Sequence, residues 1–181
     1  GAALRETGHL LHDDAALAAA QLFSLRVRDA SEVLAHLGLP AATRPLSSAH
    51  DPAQPLRVAY HDPCHLAHAQ RITAQPRKLL GQVEGLELVE MRESSLCCGS
   101  AGIYNLIRRQ MADELGDRKA QNAIATGAVD VITANPGCAM QLRTSLARNG
   151  SDARVLHIVE VLDEAYGGEA TSAEAGWVTS E

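Results

Sequence analysis

Along the chain, short apolar runs alternate with longer stretches whose apolar residues recur at helical spacing. In the Ala- and Leu-rich stretch 13–39, Leu17, Leu22, Leu25, Val33, Leu34 and Leu37 predict one or two amphipathic helices, ended by Gly38 and Pro40. Residues 41–55 hold Thr43, Pro45, Ser47, Ser48, Asp51 and Pro52 without an apolar period. That is a linker composition, and it puts a domain boundary near residue 52. Beyond it the pattern predicts strands over 56–60, 86–91, 129–134 and 154–158 and helices over 75–83, 102–126, 138–148 and 159–166. In the longest helix Ile103, Leu106, Ile107, Met111 and Leu115 share one face, Gly116 and Asp117 suggest a break and a new cap, and Gly127 closes it. Strands separated by helices predict an α/β fold, a parallel sheet with flanking helices preceded by a helical segment. The expected organisation is a helical part over 1–52, an α/β domain over 53–166 and a disordered tail over 167–181, which lacks an apolar pattern.

Composition narrows the function. The 181 residues carry 22 acidic against 16 basic side chains, a net charge of −6, and only one Trp, three Tyr and one Phe. Nucleic-acid binders need a basic footprint and aromatic faces for unpaired bases, so no nucleic-acid partner is expected. No apolar run approaches the roughly 18 residues of a spanning helix and no signal peptide opens the chain, so the expected location is cytoplasmic with no transmembrane segment. The chain opens on Gly1 in a helical pattern, and residues 1–7 echo residues 139–145, with Leu-Arg at the same offset. We expect a fragment that begins just past the equivalent cysteine of a preceding repeat.

The four cysteines are too few for a secreted disulfide scaffold. Cys64, the vicinal pair Cys97 and Cys98, and Cys138 each lie four to seven residues past a predicted strand. In an open parallel sheet the strand carboxyl ends share one edge, so loops leaving three strands can meet in one crevice. With strands about 4.8 Å apart, three adjacent loops reach a common object. His61-Asp62-Pro63-Cys64 and Asn135-Pro136-Gly137-Cys138 each offer Asp or Asn as a helix cap and Pro at the first helical position. That places the thiol in a first turn, where backbone N–H groups and the positive helix end favour thiolate. Cys97-Cys98-Gly99-Ser100-Ala101-Gly102 precedes the longest helix, so three helix starts would face one anionic centre.

Several readings of these thiols stay open: inert packing, a structural zinc site lacking the usual paired knuckles, a vicinal disulfide or dithiol relay, and an iron-sulfur centre. His61, His65 and His68 crowd the first loop, where a ligand or proton-relay role competes with polar surface or hydrogen bonding to the thiolates. Tyr104 and Asn105 start the helix after the pair and could line the same crevice. The chain has no catalytic triad, G-x-G-x-x-G or P-loop.

His61-Asp62-Pro63-Cys64-His65, the run from Cys97 to Asn105, and Asn135-Pro136-Gly137-Cys138 together resemble the cysteine-rich CCG domain. That family occurs in heterodisulfide reductase subunits, succinate:quinone reductase relatives, lactate-utilisation proteins and glycolate oxidase iron-sulfur subunits. With Leu115-Gly116-Asp117-Arg118-Lys119 downstream, the pattern looks most like the glycolate oxidase branch. The resemblance covers about residues 56–166, and residues 8–14 fit the segment between that branch's two CCG repeats. It implies an iron-sulfur electron-transfer subunit, with Cys64, Cys97, Cys98 and Cys138 as ligands of a cluster of the 4Fe-4S type, cubane or non-cubane. Electrons would come from a flavin-containing subunit that oxidises glycolate to glyoxylate and pass towards the respiratory chain. The flavin and the glycolate site would lie in partner chains, leaving no complete catalytic site here, and the complex could associate peripherally with the inner face of the membrane. Members of the branch also have a ferredoxin-like part with two 4Fe-4S clusters, but this chain has no C-x2-C-x2-C run.

One position departs from the family. The pattern closes with C-x-x-C, and here the last position is Gln141. In related heterodisulfide reductase domains the five-cysteine form holds the non-cubane cluster, so four cysteines leave room for a different metal or none. The alternatives are a metal-free scaffold that docks the ferredoxin part against the flavin subunits, a subunit of a related lactate or heterodisulfide-reductase-like complex, and thiol-disulfide exchange.

Overall fold

Alternate side chains of each central strand enter opposite layers, as a sheet covered on both faces requires. In a computed structural model, residues 1–13, 15–43, 45–46 and 54–167 are described. Their strands are β1 (Leu56–His61), β2 (Leu86–Val89), β3 (Asp130–Thr133) and β4 (Arg154–His157), all parallel, in the order β2-β1-β3-β4. The helices are α1 (Ala2–Arg5), α2 (Thr7–Leu10), α3 (Leu17–Arg26), α4 (Ala30–Leu37), α5 (Cys64–Ala67), α6 (Ala74–Leu80), α7 (Tyr104–Ile107), α8 (Arg109–Ile124), α9 (Pro136–Arg148) and α10 (Ile158–Ala165). The α/β class and the four strands agree with the sequence pattern. The boundary near residue 52 and the tail beyond Gly167 lie outside the described residues.

Val58, Tyr60, Ile132 and Leu156 point into a layer with Ala35 of α4, Leu79 and Leu80 of α6, and Val161 and Leu162 of α10. Ala59, Val131 and Val155 point the other way, among Ala120 and Ala123 of α8 and Ala139, Leu142 and Leu146 of α9. Cys98 and Cys138 belong to this second layer. The helical segment joins the first layer through α4, whose Ala35 carbonyl accepts Lys78 Nζ of α6 at 2.8 Å.

Two helical expectations change. The break in the long helix falls at Arg108, with φ −128° and ψ 49°, and α8 runs unbroken through Gly116 and Asp117. Gly116 is there for a close helix crossing: a Cβ on it would lie 2.3 Å from Ser145 Oγ of α9. Ile103, Leu106, Ile107 and, beyond the break, Met111 are exposed, and α8 buries Ala112, Gly116, Lys119, Ala120 and Ala123 instead of the predicted face. Likewise α3 buries only Ala20 and leaves Leu22 and Leu25 exposed, so its leucine spacing does not mark a core face.

Candidate metal centre

The order β2-β1-β3-β4 makes the three cysteine-bearing loops leave adjacent strands at one sheet edge. Each loop then needs a separate device to fix its thiol.

Cys138 is set by a helix start. Asn135 caps α9, its Oδ1 accepting the backbone N–H of Gly137 at 2.7 Å and of Cys138 at 3.3 Å, with Pro136 in the first turn. This is the arrangement the sequence predicts. A Cβ on Gly137 would lie 3.1 Å from Ser100 Oγ, so the start of α9 packs against the loop of the vicinal pair.

Cys64 is set differently, which corrects one expectation. It opens the single turn α5, but Pro63 occupies the cap position and Asp62 does not cap. The Asp62 carboxylate instead accepts both Arg77 terminal nitrogens at 2.8 Å. Arg77 also donates to Glu90 at 2.7 Å and lies 5.3 Å above the Tyr60 ring. Asp62 is 3 % exposed, and this partner holds its carboxyl below the usual range against the opposing effect of burial. The Asp62 backbone N–H donates to the Ser94 carbonyl at 3.0 Å, joining the first and second loops.

The vicinal pair is held from below by α8. Lys119, buried, donates from Nζ to the Glu93 and Ser94 carbonyls, the latter at 3.1 Å. Arg118 and Asn122 hold the Glu93 carboxylate, each in a 2.9 Å bond to Oε2, while Glu93 itself sits at φ 55°. Asp117 accepts Arg148 Nε and Asn149 Nδ2 at 2.8 Å, tying α8 to α9. The run from Gly116 to Lys119, read in the sequence as a helix break and as part of the family pattern, is thus a set of fastenings between α8, α9 and the cysteine loop.

All four thiols come together. Side-chain interactions link Cys64 to Cys97, Cys97 to Cys98 and Cys98 to Cys138, and none is in a disulfide. Cys98 and Cys138 are buried, while Cys64 and Cys97 are half-buried. The neighbouring Cys98 sulfur, together with burial, pushes the Cys97 thiol well above its usual range. The neighbouring Cys138 sulfur and burial push Cys98 up to about 11, against the opposing effect of Cys97. For the pair, burial and the neighbouring sulfurs thus favour thiol over thiolate. Helix α7 begins only at Tyr104 and is four residues long, so it offers the pair no strong helix start. A thiophilic cation that displaces the protons would reverse the balance.

His61 is the residue the sequence reading undervalued. It is fully buried rather than polar surface, and neither ring nitrogen makes a well-formed hydrogen bond among the described residues, although the ring interacts with the Ser94 backbone. Burial first, and the Lys119 charge second, lower its pKa to about 3, so the ring is neutral and keeps a lone pair. One of its nitrogens and the Cys98 and Cys138 sulfurs all lie within 4.8 Å of one another. A buried polar atom left unpaired costs about 1–3 kcal/mol, a cost that a bound metal would remove. Two soft sulfurs and a neutral imidazole nitrogen suit zinc, copper or iron-sulfur chemistry rather than calcium or magnesium. Strand parity carried the signal: His61 shares the face of Ala59, the face of Cys98 and Cys138.

His68 Nε2 lies 3.0 Å from the Ser95 carbonyl, and the half-buried His65 has its pKa lowered by burial. Tyr104 lines an open cleft with Ile107, Arg108 and Met111, whose described lining contains none of the four cysteines. Gln141, at the departing position, donates Nε2 to the Ala112 carbonyl at 3.2 Å.

Residues 58–143 match the model of the cysteine-rich domain family CCG. The chain is 36 % identical over 170 residues, 92 % of its length, to the "Probable glycolate oxidase iron-sulfur subunit" of Bacillus subtilis. It is 34 % identical over 166 residues, 91 % of its length, to the glycolate oxidase iron-sulfur subunit of Escherichia coli. It covers 37 % of each of those relatives. It is also 38 % identical over 143 residues to a fumarate reductase (CoM/CoB) subunit of Methanothermobacter marburgensis, a match that spans 78 % of this chain and 28 % of that protein.

Proposed function

This chain belongs to the cysteine-rich CCG domain family, and on that premise we propose that it is an electron-transfer module whose loop cysteines hold an iron-sulfur centre. The observation that carries the reading is the series of neighbouring thiols Cys64, Cys97, Cys98 and Cys138, each interacting with the next, in loops that leave three adjacent strands. Residues distant in sequence share one crevice, and core packing alone requires no such gathering. Cys64, Cys97, Cys98 and Cys138 are the proposed ligands, and the cluster would be of the 4Fe-4S type, cubane or non-cubane. When bound it would supply a one-electron store. The chain's own residues hold the thiols in register, and buried Lys119 places a cation where it offsets thiolate charge.

The names of the glycolate oxidase relatives support a place in a glycolate-oxidising complex, with electrons arriving from a flavin-containing subunit. Among the described residues no helix is long and apolar enough to cross a membrane, so contact with the inner face of the membrane would come through partners. The domain organisation we propose is a helical part over 1–52, the cysteine-rich domain over 53–166 and a tail.

Anaerobic preparation followed by redox titration tests the reading. We expect broad visible absorption that bleaches with dithionite and returns on reoxidation, with iron and sulfide present. A colourless chain free of iron after reconstitution would overturn it and favour a metal-free docking scaffold.

A further inference from the structure

The polar groups at the carboxyl edge of the sheet are not all accounted for by the four thiols. On the α8/α9 face, the last residue of β1 is His61 and its register partner in β3 is Thr133. Both are fully buried, and among the described residues neither the His61 ring nitrogens nor Thr133 Oγ1 makes a well-formed hydrogen bond. A sheet that ends in apolar packing has no use for an unpaired imidazole beside an unpaired hydroxyl. Buried polar groups without protein partners are satisfied by something else, and here the neighbours of the imidazole are two sulfurs.

The distances fit direct ligation. A nitrogen about 2.0–2.1 Å and a sulfur about 2.3 Å from one metal ion lie within about 4.4 Å of each other, and two such sulfurs within about 4.6 Å. The His61 nitrogen and the Cys98 and Cys138 sulfurs lie within 4.8 Å of one another, so small side-chain rotations bring all three onto a single metal. The position that would close the C-x-x-C pattern supplies no donor to the centre, because the Gln141 amide is held on the Ala112 carbonyl of α8.

We propose that His61 is a direct imidazole ligand of the metal centre, completing with Cys98 and Cys138 a mixed nitrogen-sulfur set in which the donor missing at Gln141 is replaced from the end of β1. This rests on the reading of the crevice as a metal site and names the ligand set of that site. Its chemical consequence is a less negative centre. Replacing thiolate by neutral imidazole removes one charge from the ligand shell and raises the reduction potential, as histidine ligation does in other iron-sulfur centres.

The test uses the full chain, reconstituted anaerobically with iron and sulfide and labelled with 15N-histidine. Iron-edge X-ray absorption and pulsed EPR are recorded on the wild type and on His61→Cys. We expect an imidazole scattering signature and a 15N coupling in the wild type. In His61→Cys we expect iron to be retained, both nitrogen signals lost and the midpoint potential lowered. Iron-loaded wild type with purely sulfur coordination would overturn this inference and leave the cysteine site standing. So would nitrogen signals that persist in His61→Cys, which would put the ligand on another histidine. Wild type that takes up no iron would overturn both readings. The wild-type spectra decide the matter even if the variant fails to fold.

Discussion

The Gln141 side-chain amide donates to the Ala112 carbonyl oxygen at 3.2 Å, and a Cβ on Gly99 would stand 2.3 Å from that same oxygen. One carbonyl of α8 therefore meets both the glycine of the Cys-Cys-Gly turn and the residue that departs from the family pattern. Gln141 acts as a brace between α8 and α9. Removing it should cost about 1 kcal/mol, the usual net worth of a hydrogen bond. We expect Gln141→Ala to lower stability by that amount in urea unfolding while iron content per chain stays at the wild-type value.

Gly99 has no such tolerance. It sits at φ +87°, where a side chain is strained, and the Ala112 backbone leaves no room for a Cβ. Gly99→Ala must either shift the turn that follows Cys98 or push α8 away. The expected loss is about 2 kcal/mol or more, with reduced metal loading because the pair is displaced. Thermal unfolding and iron assays on the same preparation check both.

Arg77 holds the first loop through Asp62. Truncation to Met leaves a buried carboxylate without its cation, a change that costs about 3–5 kcal/mol when a buried pair is broken from one side. Asp62→Asn in the same chain should restore part of that loss, because the stranded charge is gone. A double-mutant cycle by chemical denaturation reads the coupling, and single-variant losses that simply add up in the double variant would contradict the pairing.

Buried Lys119 has its pKa lowered to about 8 from an ordinary value of 10.5, with burial the largest cause. Between those values the unfolded chain binds more protons than the folded one, so the contribution of Lys119 to stability rises with pH across that window. Cys98 works in the opposite sense: its folded pKa of about 11 against 9.0 lowers stability as pH rises from 9 to 11. Subtraction of a Lys119→Met curve isolates the first effect. In the metal-free protein, we expect the wild-type-minus-variant stability difference to rise from pH 8 to pH 10.5 in urea melts.

The alternation of strands and helices was legible because each strand is a short apolar run closed by a polar or glycine signal, as at Leu56–His61 and Asp130–Thr133. The gathering of the thiols followed from loop position and parallel topology alone. What was not legible came from tertiary contact. Gly116 reads as a helix breaker in isolation, yet it marks where Ser145 of α9 presses closest. The true break at Arg108 carries neither Gly nor Pro. Asp62 has the residue type of a cap, but Arg77, brought from α6, takes its carboxylate. His61 lay within reach of sequence reasoning, since counting strand positions from Ala59 puts it on the face of Cys98 and Cys138.

Sulfurs far apart in the chain should act as one metal-binding unit. Iron and acid-labile sulfide measured per chain, after anaerobic reconstitution of wild type and of Cys98→Ser, tests this most directly. Cys98 neighbours both Cys97 and Cys138, so the variant should lose most of its iron, sulfide and visible absorption while keeping its far-ultraviolet circular dichroism. Equal iron and an unchanged visible spectrum in the two proteins would contradict the account.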